Sequence, residues 1–343
     1  MQKPKSILIF TTNWLGDALF LSPFIANLKE NFPQSYLAVL LVPRVKEIFL
    51  NNPHVDKIII YNERGRLSFL SRLGLTFRLK KEAFDTAFII KPSLSRTMVL
   101  KLAGIKKIIG FDNRRCGWLL NLRIPVPNHP LHKIDCFLTI LEQMGLNIHK
   151  RRYKFFTSDE DRLYIERLFL EKKIVRNLPL VVINPGANWY PKRWSPENFS
   201  DLIRRLKERL SINIAITGAK KDKELARRII EDSARSEVFD FTGETSLGQL
   251  GALMKLACVV ITADSGPMHI AAAVGVRTIA LFGPTSSLIT GPYPKDEHIV
   301  IQKDVGCRVP CYEKNCTNYR CMEAITVEEV LEKVIALLAV IDS

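Results

Sequence analysis

The stretch that most constrains the fold is residues 258–285, which read CVVITADSGPMHIAAAVGVRTIALFGPT. Two short apolar and β-branched runs, 258–261 and 278–282, predict buried strands. The alanine-rich segment between them, 267–274, begins with a proline, which favours the first turn of a helix. The sequence therefore predicts a βαβ unit whose helix N terminus can bind an anion. A structural crossover with an ordinary helix cap is the alternative.

The alternation of strands and helices continues over the whole chain. A length of 343 residues exceeds one ordinary core and indicates two domains. We expect a parallel, doubly wound α/β sheet in each, because strands and helices alternate before and after a break near 176–179. The predicted divisions are an N-terminal domain at 1–176, a C-terminal domain at 177–325, and an amphipathic helix in 326–343 that packs back across the domain junction.

The charge of the chain indicates an anionic partner. Fifty basic and 35 acidic residues leave a formal net charge of +15. Nucleic acid, an anionic membrane and a phosphorylated substrate all fit this charge, as does a generally basic, solubilising surface. We do not expect nucleic acid, because the basic residues are spread along the chain without a zinc-finger, RNP-type or helix-turn-helix pattern. A basic amphipathic helix is predicted over 67–81, and an irregular basic loop on the acceptor side over 113–130.

The sequence shows no recognisable signal peptide or membrane span, and its cysteine count is odd; both features suggest a cytoplasmic protein. The apolar run 7–10 is too short for a signal peptide, and no run approaches the eighteen or so residues of a spanning helix. We expect a cytoplasmic enzyme, at most peripheral on a membrane face, with mainly reduced thiols among its seven cysteines. Four cysteines form a C-x3-C-x4-C-x4-C pattern, which fits either a structural metal site or free thiols and redox-dependent disulfides. They are Cys307, Cys311, Cys316 and Cys321.

Four loops after strands of the C-terminal half contain glycine, which lets a backbone approach a ligand closely. At the carboxyl ends of parallel strands they would line one crevice that holds a nucleotide. None of them is a G-x-G-x-x-G or a Walker loop. The residues concerned are Asn184, Gly186, Thr217, Gly218, Thr242, Gly243, Asp264, Ser265 and Gly266.

Charged side chains near these loops suggest contacts with a nucleotide sugar. Lys192 and Arg193 can neutralise a diphosphate leaving group, although a solvated basic pair is the alternative. Glu244 can accept hydrogen bonds from a ribose, and His269 can donate one. Each of these two also fits an ordinary structural role.

One carboxylate in the N-terminal half is a candidate general base. Asp17 lies at the carboxyl edge of the first predicted strand, where it can take the proton of a sugar hydroxyl. A helix cap is an equally good interpretation of its position.

Several segments together resemble a known family. These are N-x-x-G-D-A-L at 13–19, NPGANWYPKRWSPENF at 184–199, FTGETSLGQL at 241–250 and TADSGPMHIAAAVGVRTIALFGPTS at 262–286. The combination resembles the bacterial ADP-heptose:lipopolysaccharide heptosyltransferases over nearly the whole chain. The KRW loop and the cysteine-containing tail look most like the heptosyltransferase II group.

The resemblance implies a GT-B fold, in which two Rossmann-like domains face a central cleft that holds the active site. It implies inverting, metal-independent transfer with ADP-heptose as donor and no further cofactor. Asp17 matches the base, Lys192 the cation at the donor phosphates with Arg193 beside it, and Glu244 the acid near the nucleoside. The D-[ST]-G-x-x-H segment at the nucleotide and sugar comprises Asp264, Ser265, Gly266, Met268 and His269.

The acceptor implied by the resemblance is the heptosyl-Kdo-lipid A inner core of lipopolysaccharide, a glycolipid at the cytoplasmic face of the inner membrane. Peripheral contact with that anionic membrane is expected. The residues expected on the acceptor side are Asn13, Gly16, Arg72, Arg114 and Arg115.

Two other functions fit parts of the pattern. Sugar-nucleotide 2-epimerases share the architecture but rearrange or release the nucleotide without a lipid acceptor. A non-catalytic anion-binding module would explain the charge. Glycosyl transfer is preferred because Asp17 occupies the position of the family's base, which a binding module does not need.

Overall fold

The computed structural model describes residues 3–62, 68–233, 237–313 and 316–339. The chain forms two compact units, Met1–Phe156 and Thr157–Ser343. The division lies earlier than the predicted boundary at 176. The reason is the helix Asp159–Glu171, which packs against the helix Leu247–Lys255 and so belongs to the second unit.

The first unit contains a six-stranded sheet in which every described pairing is parallel. Its strands are β1 (Ser6–Phe10), β2 (Tyr36–Leu41), β3 (Lys57–Ile60), β4 (Thr86–Ile89), β5 (Lys107–Phe111) and β6 (Leu122–Ile124). The order is β3-β2-β1-β4-β5-β6, which is that of a complete Rossmann sheet. β1 and β2 are almost entirely buried, as the sequence predicts for central parallel strands. β6 was not predicted, because its three residues lie inside the segment 113–130 that was interpreted as a loop.

In the described part of the first unit, helices lie between the strands and after the last of them. They are α1 (Leu15–Leu19), α2 (Ser22–Asn31), α3 (Ser68–Glu82), α4 (Leu94–Leu102) and α5 (Lys133–Gln143). α3 confirms the predicted basic helix, although its expected first residue, Leu67, lies outside the described residues. Short 3₁₀ helices occupy Pro43–Ile48 and Gly117–Leu119. Leu75 and Leu79 of α3 pack with Leu8 and Phe10 of β1 in one core of the sheet.

The second unit repeats this design. Its strands are β7 (Leu180–Asn184), β8 (Asn213–Ile216), β9 (Phe239–Asp240), β10 (Val259–Ala263), β11 (Arg277–Phe282) and β12 (Ile299–Gln302). They run parallel in the order β12-β11-β10-β7-β8-β9, which is the Rossmann order again. The predicted fold class, two doubly wound Rossmann-like α/β domains, is therefore confirmed.

The helices that the structure describes in the second unit lie around its sheet. They are α6 (Asp159–Glu171), α7 (Pro196–Arg209), α8 (Lys223–Asp232), α9 (Leu247–Lys255), α10 (Gly266–Val274), α11 (Ser287–Thr290), α12 (Arg320–Glu323) and α13 (Val327–Ala339). Short 3₁₀ helices lie at Tyr190–Lys192, Lys220–Asp222 and Lys295–Glu297. Ser195 caps α7 through the N–H of Asn198, and Ser158 caps α6 in a capping box with Asp161, as their sequences predict.

The C-terminal helix lies in the second unit. Val330, Leu331, Val334 and Leu338 of α13 are buried in the core that also contains the α7 side chains, and α13 packs against α7, β10 and β11. The expectation that this helix packs back across the domain junction is therefore replaced by packing on its own sheet. The last four residues of the predicted segment, 340–343, lie outside the described residues. Among the helices that the structure describes, none has the length and apolar character needed to cross a bilayer.

Candidate functional site

Each sheet has one point at which the order of its strands reverses, and ligands of doubly wound folds bind at such points. In the first unit this point lies between β1 and β4, and in the second between β7 and β10. Asp17 follows β1 and Lys91 follows β4. Lys192 follows β7 and Asp264 follows β10. Each unit thus has an aspartate and a lysine at its switch point, and in each the two side chains are paired.

Asp17 is a buried carboxylate held between two lysines. Its side chain is 6% exposed. Oδ2 accepts a hydrogen bond from Lys91 Nζ at 2.6 Å, and Oδ1 accepts one from Lys133 Nζ at 2.5 Å. Burial acts to raise the pKa of the Asp17 carboxyl, but the charges and hydrogen bonds of Lys133 and Lys91 outweigh it, so that the pKa is lowered. Asp17 is therefore ionised at neutral pH, and this pairing is not that of a helix cap.

Local packing brings Lys133 to Asp17. Lys133 is the first residue of α5, and His132 caps that helix by accepting a hydrogen bond from the Ile134 N–H on Nδ1 at 3.2 Å. The His132 ring meets the ring of Phe20 edge-on at 5.1 Å, and Phe20 directly follows α1. The start of α5 is thereby fixed beside α1, which carries Asp17.

The residues predicted on the acceptor side are dispersed in the first unit. Asn13 and Gly16 are half-buried in the segment that leads into and begins α1, next to Asp17 in the chain. Arg72 is exposed on α3 and lines a small pocket with Phe10. The two remaining arginines lie exposed in the connection between β5 and β6, and they are Arg114 and Arg115.

The switch point of the second unit holds a second buried aspartate. Asp264 is 7% exposed at its side chain, and its Oδ2 accepts hydrogen bonds from Lys192 Nζ at 2.5 Å and from Thr285 Oγ1 at 2.6 Å. Lys192 is only partly buried, with 21% of its side chain exposed. Its ammonium group can therefore be held by Asp264 and still meet an anion from solvent.

The N terminus of α10 begins immediately after Asp264. Ser265 is the N-cap residue, and its hydroxyl lies 3.3 Å from the hydroxyl of Thr262 rather than capping the helix. In this described helix no side chain caps the first N–H groups, and Ser265 and Gly266 are only half-buried. Free N–H groups and the positive end of the helix dipole together suit a phosphate.

Two residues of the predicted D-[ST]-G-x-x-H segment are buried on α10. Met268 is fully buried with Ala280 and Phe282, because its position on α10 faces the sheet, and a contact of this residue with the donor stays a prediction. His269 is 5% exposed in the first turn of α10.

The glycine loops of the second unit are shaped by one unpredicted residue, Asp222. A Cβ atom at Gly186 would come within 3.0 Å of the Asp222 carboxylate, and one at Gly218 within 3.1 Å of the Asp222 Cβ. Asp222 Oδ2 accepts a hydrogen bond from the Ala219 N–H at 3.0 Å. A side chain at either glycine would crowd Asp222, so the packing of Asp222 favours glycine at both positions, whatever ligand the loops bind.

Arg193 also stabilises this loop region through hydrogen bonds to its backbone. Its Nε and Nη2 donate to the carbonyl oxygen of Ala187 at 3.0 and 2.9 Å, and Nη2 lies 3.6 Å from Asp222 Oδ1. Arg193 thus fixes the loop that carries Lys192. In the resting geometry Lys192, and not Arg193, is the cation at the switch point.

The polar residues after β7, β8 and β9 lie together. Asn184 Nδ2 donates to Thr217 O and Oγ1, both at 3.1 Å, and Asn184, Thr217 and Thr242 are all nearly fully buried. Gly243 has φ +74°, a left-handed conformation that favours glycine. The predicted convergence of these loops at one sheet edge is therefore seen within the second unit.

Glu244 is exposed at that edge but already has a partner. Its Oε2 lies 2.9 Å from Lys172 Nζ, and its backbone oxygen accepts a hydrogen bond from the Tyr164 hydroxyl at 2.8 Å. A ribose would have to share this carboxylate with Lys172.

The four clustered cysteines are reduced and line one cavity of the second unit. Burial raises the pKa of the Cys321 thiol, and the neighbouring Cys316 and Cys307 raise it further. Among the described residues no three His, Cys, Asp or Glu side chains are placed to hold a metal ion. The structural metal site that the spacing suggested for Cys307, Cys311, Cys316 and Cys321 stays an alternative to free thiols.

Three important residues were missed from the sequence. The rule that ligands bind between β1 and β4 could have found Lys91, because it lies two residues after the end of β4. Thr285 lies within the FGPTS segment, although nothing local marks it as a partner of Asp264. Lys133 gives no local signal, since it lies 116 residues from Asp17 in the chain.

Comparison with known proteins identifies the family. The model of glycosyltransferase family 9 (heptosyltransferase) matches residues 72–321. The chain belongs to this family. It is therefore a glycosyltransferase, and the family match includes Lys91, Lys133, Lys192 and Asp264, whereas Asp17 lies before it.

Relatives of this family 9 enzyme cover almost its whole length. The lipooligosaccharide heptosyltransferase 2 of Campylobacter jejuni serotype O:6 is 26% identical over 96% of this chain and 98% of its own. The solved E. coli ADP-heptose lps heptosyltransferase II has a TM-score of 0.79 and 23% identity, with 98% and 100% of the two chains covered. E. coli heptosyltransferase WaaC with ADP-2-deoxy-2-fluoro heptose has a TM-score of 0.73 and 18% identity, over 96% and 99%. The family 9 enzyme therefore has the GT-B class of fold.

Proposed function

We propose that this enzyme transfers L-glycero-D-manno-heptose from ADP-heptose to the inner core of lipopolysaccharide, with heptosyl-Kdo-lipid A as acceptor and inversion at the anomeric carbon. The family match and the names of the relatives support the reaction class. The observation that carries the proposal is the ionised Asp17 carboxylate at a switch point, within the N-x-x-G-D-A-L segment.

In the proposed reaction Asp17 is the general base. It takes the proton of the acceptor hydroxyl as that oxygen attacks the anomeric carbon of the donor. The bond from that carbon to the phosphate oxygen breaks, and the bonding electron pair leaves with ADP. Each Asp17 oxygen accepts one hydrogen bond from a lysine at rest and can accept a second, so the acceptor hydroxyl would bind the carboxylate beside an ammonium group.

The departing diphosphate gains negative charge as the bond breaks. Lys192 and the N terminus of α10 would stabilise that charge, because one offers an ammonium group and the other free backbone N–H groups. Asp264 would orient Lys192, and Thr285 would orient Asp264. We propose no cofactor apart from the donor, so that turnover should be unaffected by EDTA.

The acceptor is anchored in a membrane, which fits a peripheral enzyme of net positive charge at the cytoplasmic face of the inner membrane. This localisation is part of the proposal.

The test incubates the enzyme with ADP-heptose and a truncated lipopolysaccharide that ends at one heptose. The expected result is an acceptor heavier by one heptose, with an equal amount of ADP, as seen by mass spectrometry and nucleotide chromatography. ADP release without a heavier acceptor would favour hydrolysis or an epimerase-like reaction. Binding of the donor without any turnover would favour the non-catalytic module.

A further inference from the structure

The outer face of α3 carries an apolar stripe exposed to solvent. Leu70, Leu73 and Phe77 are 58%, 42% and 60% exposed. Their spacing of three and four residues places them on one face of the helix. Leu75 and Leu79 point to the other side, where they are buried in the core under the sheet. One apolar face of α3 is therefore buried, and a second is exposed to solvent. We call this exposed face, formed by Leu70, Leu73 and Phe77, the α3 stripe.

The surroundings of the α3 stripe are basic. Arg78, Lys80 and Lys81 are exposed on the same helix. The acid of α3 in this region, Glu82, is paired with Lys57 at 2.5 Å. An apolar stripe bordered by cations is the pattern of a helix that lies in the interface of an anionic membrane, with its leucines and phenylalanine among the acyl chains and its lysines at the headgroups.

Another helix shows that exposed leucines alone do not give this pattern. Leu163 and Leu170 of α6 are 55% and 71% exposed and also share one face. However, α6 begins with three consecutive acids, and Glu166 and Glu171 follow near the leucines. An anionic surface would repel this helix and attract α3.

We propose that the α3 stripe docks the enzyme on a bilayer that contains anionic phospholipid, with the axis of α3 parallel to the membrane plane. Each basic residue near such a surface strengthens binding about fivefold, and apolar insertion adds to this. The inference names the membrane contact that the proposed function includes, but it rests on the exposure and charge of α3 and needs neither donor nor acceptor.

The experiment measures how the full chain sediments with large vesicles. Vesicles of phosphatidylethanolamine and phosphatidylglycerol should bind it, whereas vesicles of phosphatidylcholine alone should bind it at least tenfold more weakly. Phe77→Asp should weaken binding to the anionic vesicles at least tenfold, because a carboxylate replaces the most exposed apolar side chain of the stripe. Leu170→Asp is the matched control, since it makes the same kind of change on the exposed face of α6.

A second variant tests the charge separately from the apolar contact. Lys80→Gln with Lys81→Gln should weaken binding to anionic vesicles by about 25-fold, at about fivefold per lysine, while binding to phosphatidylcholine stays the same. Added salt should weaken the wild type more than this double variant.

Several results would overturn the proposal. One is an equal loss of vesicle binding in Leu170→Asp and Phe77→Asp, and another is wild-type binding by Phe77→Asp. A third is a wild type that is dimeric by light scattering and becomes monomeric in Phe77→Asp without binding vesicles, because a second copy would then cover the stripe. Turnover of a water-soluble acceptor should be the same in Phe77→Asp and wild type. A wild type that binds vesicles but transfers no heptose would leave docking intact and refute the proposed function.

Discussion

Asp17 and Asp264 are buried aspartates at the switch points of two sheets with the same strand order, yet their surroundings differ. In the first unit the aspartate follows the first strand and a lysine follows the fourth, whereas in the second unit the lysine follows the first strand and the aspartate follows the fourth. Asp17 contacts two ammonium groups, and Asp264 shares one oxygen between an ammonium group and a hydroxyl.

The difference indicates two chemical roles. In the first unit two lysines donate hydrogen bonds to one carboxylate, and we expect this carboxylate to accept a proton from the substrate. In the second unit a hydroxyl donates a hydrogen bond to a carboxylate, and that carboxylate pairs with one lysine. We expect the ammonium group of this lysine to bind a phosphate. We therefore expect the same architecture to support a proton acceptor in one unit and an anion site in the other, depending on which strand is followed by the acid.

The largest expected effect comes from removing the base. Asp17→Asn keeps the shape of the side chain but cannot take a proton, so kcat should fall about 10²–10⁴-fold while the donor Kd changes only a few fold. Rapid-quench turnover and calorimetric donor titration measure the two quantities. In Asp264→Asn the main change should be weaker donor binding. Equal losses of kcat in the two variants, at saturating donor, would refute the division of roles.

Removing the lysine of the second unit should act mainly on binding. Lys192→Ala should weaken the donor Kd roughly 10–100-fold, because a charge-assisted contact to the diphosphate is lost. Lys221→Ala is a suitable control, since Lys221 is a lysine of the same unit that pairs with Asn188 at 2.7 Å. Unchanged donor affinity in Lys192→Ala would mean that Lys192 is only a partner of Asp264.

The sequence predicts one of the two sites better than the other. Lys192 and Asp264 were both identified because each follows a short buried strand within a recognisable loop. Asp17 was identified for the same reason, but its partners were not, because side chains that approach only after folding leave no periodic signal. Met268, which the sequence placed at the donor, is fully buried against the sheet. A motif marks a whole segment, but the turn of the helix decides which of its residues faces a ligand.

The division between the two units differs from the predicted boundary for a related reason. The segment that holds α6 precedes the point at which the strand pattern restarts, so the sequence assigned it to the first domain. Its position in the second unit follows from packing against α9, which pattern alone does not reveal.

The two lysines of the first unit allow a smaller change, seen in the pH dependence. Lys133→Met should raise the pKa of Asp17 towards its ordinary value, and Lys91→Met should do so less, because Lys91 is more exposed. A carboxylate with a lowered pKa stabilises the folded state above its unfolded pKa, and this stabilisation is lost as the pH falls through the folded pKa. In Lys133→Met the acid limb of kcat/KM and the acid-unfolding midpoint should therefore both move to higher pH.

The control for this experiment is Lys101→Met, since Lys101 contacts the amide of Asn121 and not a carboxylate. The loss of stability at neutral pH should stay well below the roughly 3–5 kcal/mol of a broken, fully buried ion pair, because both lysines are partly exposed. If the acid limb of kcat/KM lies at the same pH in Lys133→Met and in the wild type, that limb reports the titration of a group other than Asp17.

The smallest expected effect concerns the hydroxyl that distinguishes the second site. Thr285→Val removes the 2.6 Å hydrogen bond to the Asp264 carboxylate. It should weaken donor binding about two- to tenfold with little change in kcat, which is less than the full contribution of a hydrogen bond to a charged group, because the bond acts on the donor only through Asp264 and Lys192. Thr285→Ser restores the hydroxyl and should recover most of the affinity. If the two variants bind the donor equally, the loss comes from packing, and Lys192 alone orients Asp264. The two aspartates would then differ only in the number of lysines that hold them, which is one for Asp264 and two for Asp17.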